Sequence, residues 1–266
     1  MCNLSKMILL VFLLVLVSTV HALTIADVQS AIHHLGATPP KTPVQELSNL
    51  SIPRRDGGEI LAYRSKPGQG DAVVILLHEF FGLTQSICDK ADAIAQDVGC
   101  TVVAPDTFRG ESSTFIPKCI WLALSTPQDR VNDDLDDVLH YLKSPSKLAV
   151  MGFCYGGGKA VRYTCERQND ACTVVCYGSP VTDVTQLERL NKPICGVFGS
   201  LDIQFPPPVL EKFRSALKEA NVDHTVQTYD GVGHAFWKDM EQIRRGEQPQ
   251  LGAYQQVTGF LKRNLV

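Results

Sequence analysis

The sequence has no basic cluster, and its 25 Lys and Arg are outnumbered by 28 Asp and Glu, for a formal net charge of −3. A nucleic-acid partner needs a concentrated positive face, so none is expected. There is no Cys-x-x-Cys pair and no Cys/His run at metal-ligand spacing, which argues against a zinc site. Apart from one stretch near the N-terminus, no apolar run approaches the roughly 20 residues that cross a bilayer. Internal repeats and a second-domain boundary are also missing. What is present is globular: 44% hydrophobic and 20% charged residues over 266 positions, enough for one sizeable core.

The one long apolar run, Met7 to Val17, follows Lys6 and precedes small residues ending at Val20-His21-Ala22. This is the pattern of a secretory signal peptide over residues 1–22, with cleavage after Ala22. A secreted protein is expected, without stable membrane association once the signal is removed; an uncleaved anchor is the alternative. Residues 23–43 read as a lead: a short amphipathic helix with Ile25, Val28, Ile32 and Leu35 on one face, then a Pro-rich linker to Pro43. The main domain is expected over 44–266. Of nine Cys, Cys2 leaves with the signal. Secretion permits disulfides among the rest, although Cys172 and Cys176 sit in strand-like runs and read as small buried hydrophobes. Asn49-Leu50-Ser51 is an N-glycosylation acceptor if the chain is secreted.

Val44 to Ile52 and Ile60 to Arg64 flank Asp56-Gly57-Gly58 and read as a hairpin. Strand and helix then alternate. Val73–Leu77, Thr101–Ala104, Leu148–Met151, Thr173–Tyr177, Ile194–Phe198 and Thr225–Tyr229 are continuous apolar or β-branched runs. Ile87, Ala91, Ile94, Ala95 and Val98 keep helical spacing. So do Val131, Leu135, Val138, Leu139 and Leu142, with Asp133, Asp134, Asp136 and Asp137 assigned to the solvated face. Leu210, Phe213 and Leu217, and finally Val257, Phe260 and Leu261, mark two more helices. The pattern predicts an α/β fold, a mostly parallel sheet with helices on both faces and functional loops at the carboxyl ends of its strands.

The organising stretch is Gly152-Phe153-Cys154-Tyr155-Gly156-Gly157, between an apolar strand and a helix. A nucleophile flanked two residues away by very small residues is the nucleophile elbow, here with Cys in place of Ser. The plain alternative is a glycine-rich turn around an inert Cys. Three other loops just past strands carry reactive types: His78-Glu79-Phe80-Phe81-Gly82, Gly199-Ser200-Leu201-Asp202, and Gly231-Val232-Gly233-His234-Ala235-Phe236. The order Cys154, Asp202, His234 is that of α/β-hydrolases, and three successive strand ends can bring these residues to one point.

These motifs together resemble the dienelactone hydrolase family, the carboxymethylenebutenolidases, from about Ile52 to the C-terminus. The resemblance implies an α/β-hydrolase acting without a cofactor on small esters or lactones. It further implies Cys154 as nucleophile through an acyl-thioester, His234 as base, Asp202 as its orienting acid, and Glu79 as a gate on thiol ionisation. Backbone N–H groups of Phe80 and Tyr155 would form the oxyanion hole. Arg109 and Lys238 correspond to cations that hold a substrate carboxylate, with Lys where the family has Arg and the Arg109 register shifted. A neutral substrate would instead meet aromatic walls from Phe80, Tyr155 and Trp237. Alternatives are the same scaffold acting on a glycan or thioester, a non-catalytic binding protein, and a thiol redox protein using Cys154.

Overall fold

The computed structural model describes residues 42–66, 71–113 and 115–266. The leader, the Ile25–Leu35 helix and most of the Pro-rich linker lie outside the described residues. The chain builds one eight-stranded sheet in the order β1-β2-β4-β3-β5-β6-β7-β8. β1 (Leu50–Pro53) and β2 (Glu59–Arg64) form the antiparallel hairpin, with Ile52 opposite Ile60. β2 is also antiparallel to β4 (Thr101–Pro105). The remaining pairings are parallel, through β3 (Ala72–Leu77), β5 (Lys147–Phe153), β6 (Cys172–Cys176), β7 (Ile194–Gly199) and β8 (His224–Tyr229).

Every residue of β3, β4, β6 and β7 is buried, because helices cover both faces of a parallel sheet. Alternate side chains feed opposite cores. Val74 and Leu76 of β3 join the larger cluster, with Ile87, Ala91 and Ile94 of α2 (Gln85–Val98) and Val257 and Leu261 of α9 (Gln250–Leu265). Val73, Ile75 and Leu77 join the other, with Val131, Leu135 and Val138 of α4 (Gln128–Tyr141) and Ala160 and Tyr163 of α5 (Tyr155–Glu166). The edge strand β8 instead alternates half-buried and exposed residues until Tyr229, because only one of its faces is covered.

Two expectations need correction, one helix was not expected, and the described cysteines other than Cys154 fall as small buried residues. Val44–Ile52 is not one strand: Val44–Leu47 is a single helical turn, α1, closed by the Ser48 hydroxyl on the Val44 carbonyl at 2.7 Å, and β1 starts only at Leu50. Asp134 and Asp137 of α4 are not solvated but 2% and 7% exposed. Arg109 and Arg55 reach them from preceding loops and supply the charge partners that a buried carboxylate requires. Helix α3 (Ile116–Leu124) was not anticipated, because its apolar residues do not mark a core face: only Cys119 and Leu122 are buried, while Phe115, Trp121 and Leu124 are exposed. The eight described cysteines are all free thiols, seven of them buried, so no disulfide forms among them. Shorter helices α6 (Val184–Leu187) and α8 (Met240–Arg244) and the longer α7 (Pro207–Glu219) complete the layers.

Candidate active site

Cys154 sits between β5 and α5 with φ 51° and ψ −114°, a conformation that an L-residue occupies only under strain. Its N–H is held by the Cys176 carbonyl at 2.9 Å. The flanking glycines are sterically required. A Cβ on Gly152 would enter the Gly156 carbonyl, and one on Gly156 would enter the carbonyls of Leu77 and His78. Helix α5 starts at the next residue, so its unpaired first-turn N–H groups lie beside the sulfur.

His234 comes from the loop after β8 and Asp202 from the loop after β7. His234 Nε2 lies 3.0 Å from Cys154 Sγ, and His234 Nδ1 lies 2.8 Å from Asp202 Oδ2. The other Asp202 oxygen accepts the N–H groups of Gln204 and Phe205 at 2.8 and 3.2 Å, which fixes the carboxylate plane. Tyr177 and Phe205 flank the imidazole, with ring centroids 5.5 and 5.8 Å away. Burial pushes the His234 pKa down. The negative charge of Cys154, the hydrogen bonds to Asp202 and Cys154, and the charge of Asp202 outweigh it and raise the value to about 10.

Glu79 is buried at the end of β3 and faces the Tyr177 hydroxyl at 3.5 Å. Phe80 follows it, half-buried, in the turn closed by Gly82 N–H on the Glu79 carbonyl at 3.1 Å. Tyr155 is the first residue of α5. These positions gather with Cys154 at the carboxyl ends of β3 and β5, which are hydrogen-bonded neighbours.

Of the three expected substrate contacts, Arg109 and Trp237 are held by other partners and Lys238 is exposed. Arg109 turns its guanidinium onto Asp134, with Nη2 2.9 Å from Oδ1. Lys238 has an exposed side chain. Trp237 is fully buried, edge-on to Phe153 and Tyr254 at 5.1 and 5.5 Å. The reason lies in the backbone after His234. The Tyr177 hydroxyl donates to the Trp237 carbonyl at 3.0 Å, and Ser86 Oγ and Lys90 Nζ donate to the Lys238 carbonyl at 2.6 and 3.0 Å. These bonds draw Trp237 into the core and leave Lys238 outside.

Two residues near the site were not singled out from the sequence. Lys90 is fully buried, its ammonium 4.6 Å from the centroid of the Phe153 ring. Burial lowers its pKa, opposed by the charge of Glu79 first and then by Cys176, Asp239 and Asp89. Its one sequence signal is placement three residues after Ile87, on the apolar stripe of α2. Tyr177, with φ 39°, directly follows β6 and bridges Glu79 to the His234 loop, and no local pattern marks it.

Among known proteins, the family model for the dienelactone hydrolase family matches residues 60–265. A protein of Escherichia coli O157:H7, named by inference as a carboxymethylenebutenolidase, is 31% identical over 210 residues, covering 71% of this chain and 77% of that protein. One from Yersinia pestis with the same name is 29% identical over 230 residues, 79% of this chain and 86% of that one. A Klebsiella pneumoniae crystal structure, described by inference as a dienelactone hydrolase, superposes with TM-score 0.63 at 26% identity, covering 77% of this chain and 95% of that one. The dienelactone hydrolase-like promiscuous phosphotriesterase P91 from metagenomic libraries shares the fold, with TM-score 0.65 at 16% identity over 82% of this chain and 98% of that one.

Proposed function

The chain belongs to the dienelactone hydrolase family and is a carboxylic ester hydrolase of the α/β-hydrolase fold, and we propose that it cleaves small esters or lactones with Cys154 as nucleophile. His234 Nε2 holds the proton given up by the thiol, and the sulfur attacks the substrate carbonyl carbon. The oxygen that becomes negative is received by the N–H groups of Tyr155 and Phe80. When the tetrahedral intermediate collapses, the carbon–oxygen bond breaks and His234 returns the proton to the leaving alkoxide. His234 then deprotonates water, which attacks the thioester, and the sulfur leaves to regenerate the thiol. Asp202 keeps Nδ1 protonated and stabilises the imidazolium in both halves. Glu79, buried and facing the Tyr177 hydroxyl, is read as the gate on the nucleophile.

The observation that carries the reading is the unbroken chain Cys154–His234–Asp202, with links of 3.0 and 2.8 Å. Cys154→Ala should abolish turnover of a chromogenic ester while the protein stays folded. One equivalent of iodoacetamide on Cys154 should do the same. Full turnover by Cys154→Ala would end the proposal.

The substrate is read as uncharged near the scissile bond, since Arg109 is committed to Asp134 and Lys238 faces solvent. The leader is read as a secretory signal, so the enzyme would act outside the cell with Leu23 as its first residue. N-terminal sequencing of protein from the culture medium tests this, and an intact Met1 on cell-bound protein would refute it.

A further inference from the structure

His78 is fully buried and takes no part in the chemistry above, yet it touches both halves of the site. Its Nδ1 lies 2.7 Å from the Glu79 carbonyl oxygen. Its Nε2 receives the Thr107 backbone N–H at 3.1 Å and lies 3.0 Å from the Thr107 hydroxyl. The backbone N–H can only donate, so Nε2 carries no proton and the ring proton sits on Nδ1. His78 is thereby fixed as a donor to the Glu79 carbonyl. The nearest carboxylate oxygen, Asp106 Oδ1 at 3.5 Å, already accepts the Phe108 N–H at 3.0 Å, and the other Asp106 oxygen accepts the Gly110 N–H.

The Glu79 carbonyl also accepts the Gly82 N–H at 3.1 Å, so both of its lone pairs are used. In a trans peptide the carbonyl and the following N–H point in opposite directions. Pinning the Glu79 oxygen from two sides therefore fixes where the Phe80 N–H points. The same imidazole reaches the second donor residue through Thr107, whose hydroxyl lies 3.4 Å from the Tyr155 hydroxyl. The Tyr155 ring lies nearly parallel to His78, at 5.9 Å and 17°, and Phe108 closes the far side at 4.8 Å. The imidazole cannot turn over in this slot without losing bonds at both nitrogens.

We propose that His78 is a positioning residue for the oxyanion hole, its Nδ1–H locking the Glu79–Phe80 peptide and its Nε2, through Thr107, steadying Tyr155. This rests on the ester-hydrolase reading of Cys154. Preorganised donors cost no reorientation when the oxyanion forms, which is why a loosened peptide lowers kcat with little effect on substrate binding.

The test compares two substitutions that each keep one half of the imidazole. His78→Asn places an amide N–H where Nδ1 donates. His78→Gln places an amide oxygen where Nε2 accepts and abandons the Glu79 carbonyl. With a chromogenic ester, His78→Gln should lose about 10- to 100-fold in kcat at nearly constant KM, a part of the 10²–10³ attached to one oxyanion donor. His78→Asn should recover most of that loss. The rate of Cys154 alkylation by iodoacetamide should be unchanged in both, because displacement at a saturated carbon forms no oxyanion. Wild-type kcat in His78→Gln would overturn the proposal. So would an alkylation rate that falls in step with kcat, which would make His78 a general support of the whole site. If His78→Gln does not fold, a loss of kcat in His78→Asn as large as that expected for Gln overturns it equally. Failure of the underlying reading is separate: turnover would then survive alkylation of Cys154, whatever residue stands at 78.

Discussion

Asp202 divides its two oxygens between different partners: Oδ2 lies 2.8 Å from His234 Nδ1, while Oδ1 accepts the backbone N–H groups of Gln204 and Phe205. This division gives Asp202→Asn a definite consequence. The two backbone donors require an oxygen at the Oδ1 position, so the new NH₂ group must face His234. It would donate to Nδ1 and force the imidazole proton onto Nε2, toward the sulfur. His234 could then no longer accept the thiol proton. Ester turnover should fall by about 10²–10⁴ in kcat with KM little changed. Wild-type kcat in Asp202→Asn would show that another group orients the imidazole.

The His234 value of about 10 predicts how stability follows pH. The ordinary histidine value is about 6.5. Between the two, the native state holds a proton that the unfolded chain has lost, so raising pH favours unfolding. The stabilisation is complete below about pH 6.5 and is lost as pH rises toward about 10. Cys154→Ala removes the largest influence raising His234. Urea unfolding midpoints of wild type should decline across this window more steeply than those of Cys154→Ala. Parallel declines would show that the sulfur's charge is not what holds the proton.

The elbow makes a contrasting pair of glycine predictions. A Cβ at Gly156 would collide with the Leu77 and His78 carbonyls, which belong to rigid backbone. Gly156→Ala should destabilise by about 1–3 kcal/mol or more and distort Cys154 with it. Gly231 has φ +73°, but a Cβ added there would meet nothing within 4 Å. Gly231→Ala should cost only the left-handed backbone penalty, about 1–2 kcal/mol, with turnover retained. Denaturation and kinetics on both variants check this, and equal activity in the two would refute the steric account of the elbow.

Substrate charge gives a further prediction. The family resemblance implied that Arg109 and Lys238 hold a carboxylate, but Arg109 is paired with Asp134 and Lys238 is exposed. Lys238→Ala should therefore leave the ratio of kcat/KM for an anionic ester to that for its neutral methyl ester unchanged at low salt. A drop confined to the anionic ester would return Lys238 to the substrate.

Much of this molecule is written in local pattern. The parallel strands are legible as continuous apolar runs because a strand covered on both faces has no polar side to display. Cys154 is legible because the elbow excludes side chains at 152 and 156, which leaves a glycine signature in the chain. Asp202 and His234 are legible by order, each falling in a loop just past a strand. What the sequence could not decide depends on what other segments bring to the same place. Asp134 and Asp137 look like solvent-facing carboxylates until Arg109 and Arg55 arrive from distant loops. Trp237 looks like a pocket wall until three side chains from α2 and the end of β6 seize the adjoining carbonyls and turn it inward. Lys90 carries no motif, and the loop that His78 opens does not mark its role; many of their partners are carbonyls and backbone N–H groups, which every residue possesses. Helical and strand periodicity record which side of an element meets the core. Only the assembled tertiary structure determines which polar group lies at hydrogen-bonding distance from which other, and those distances decide the chemistry.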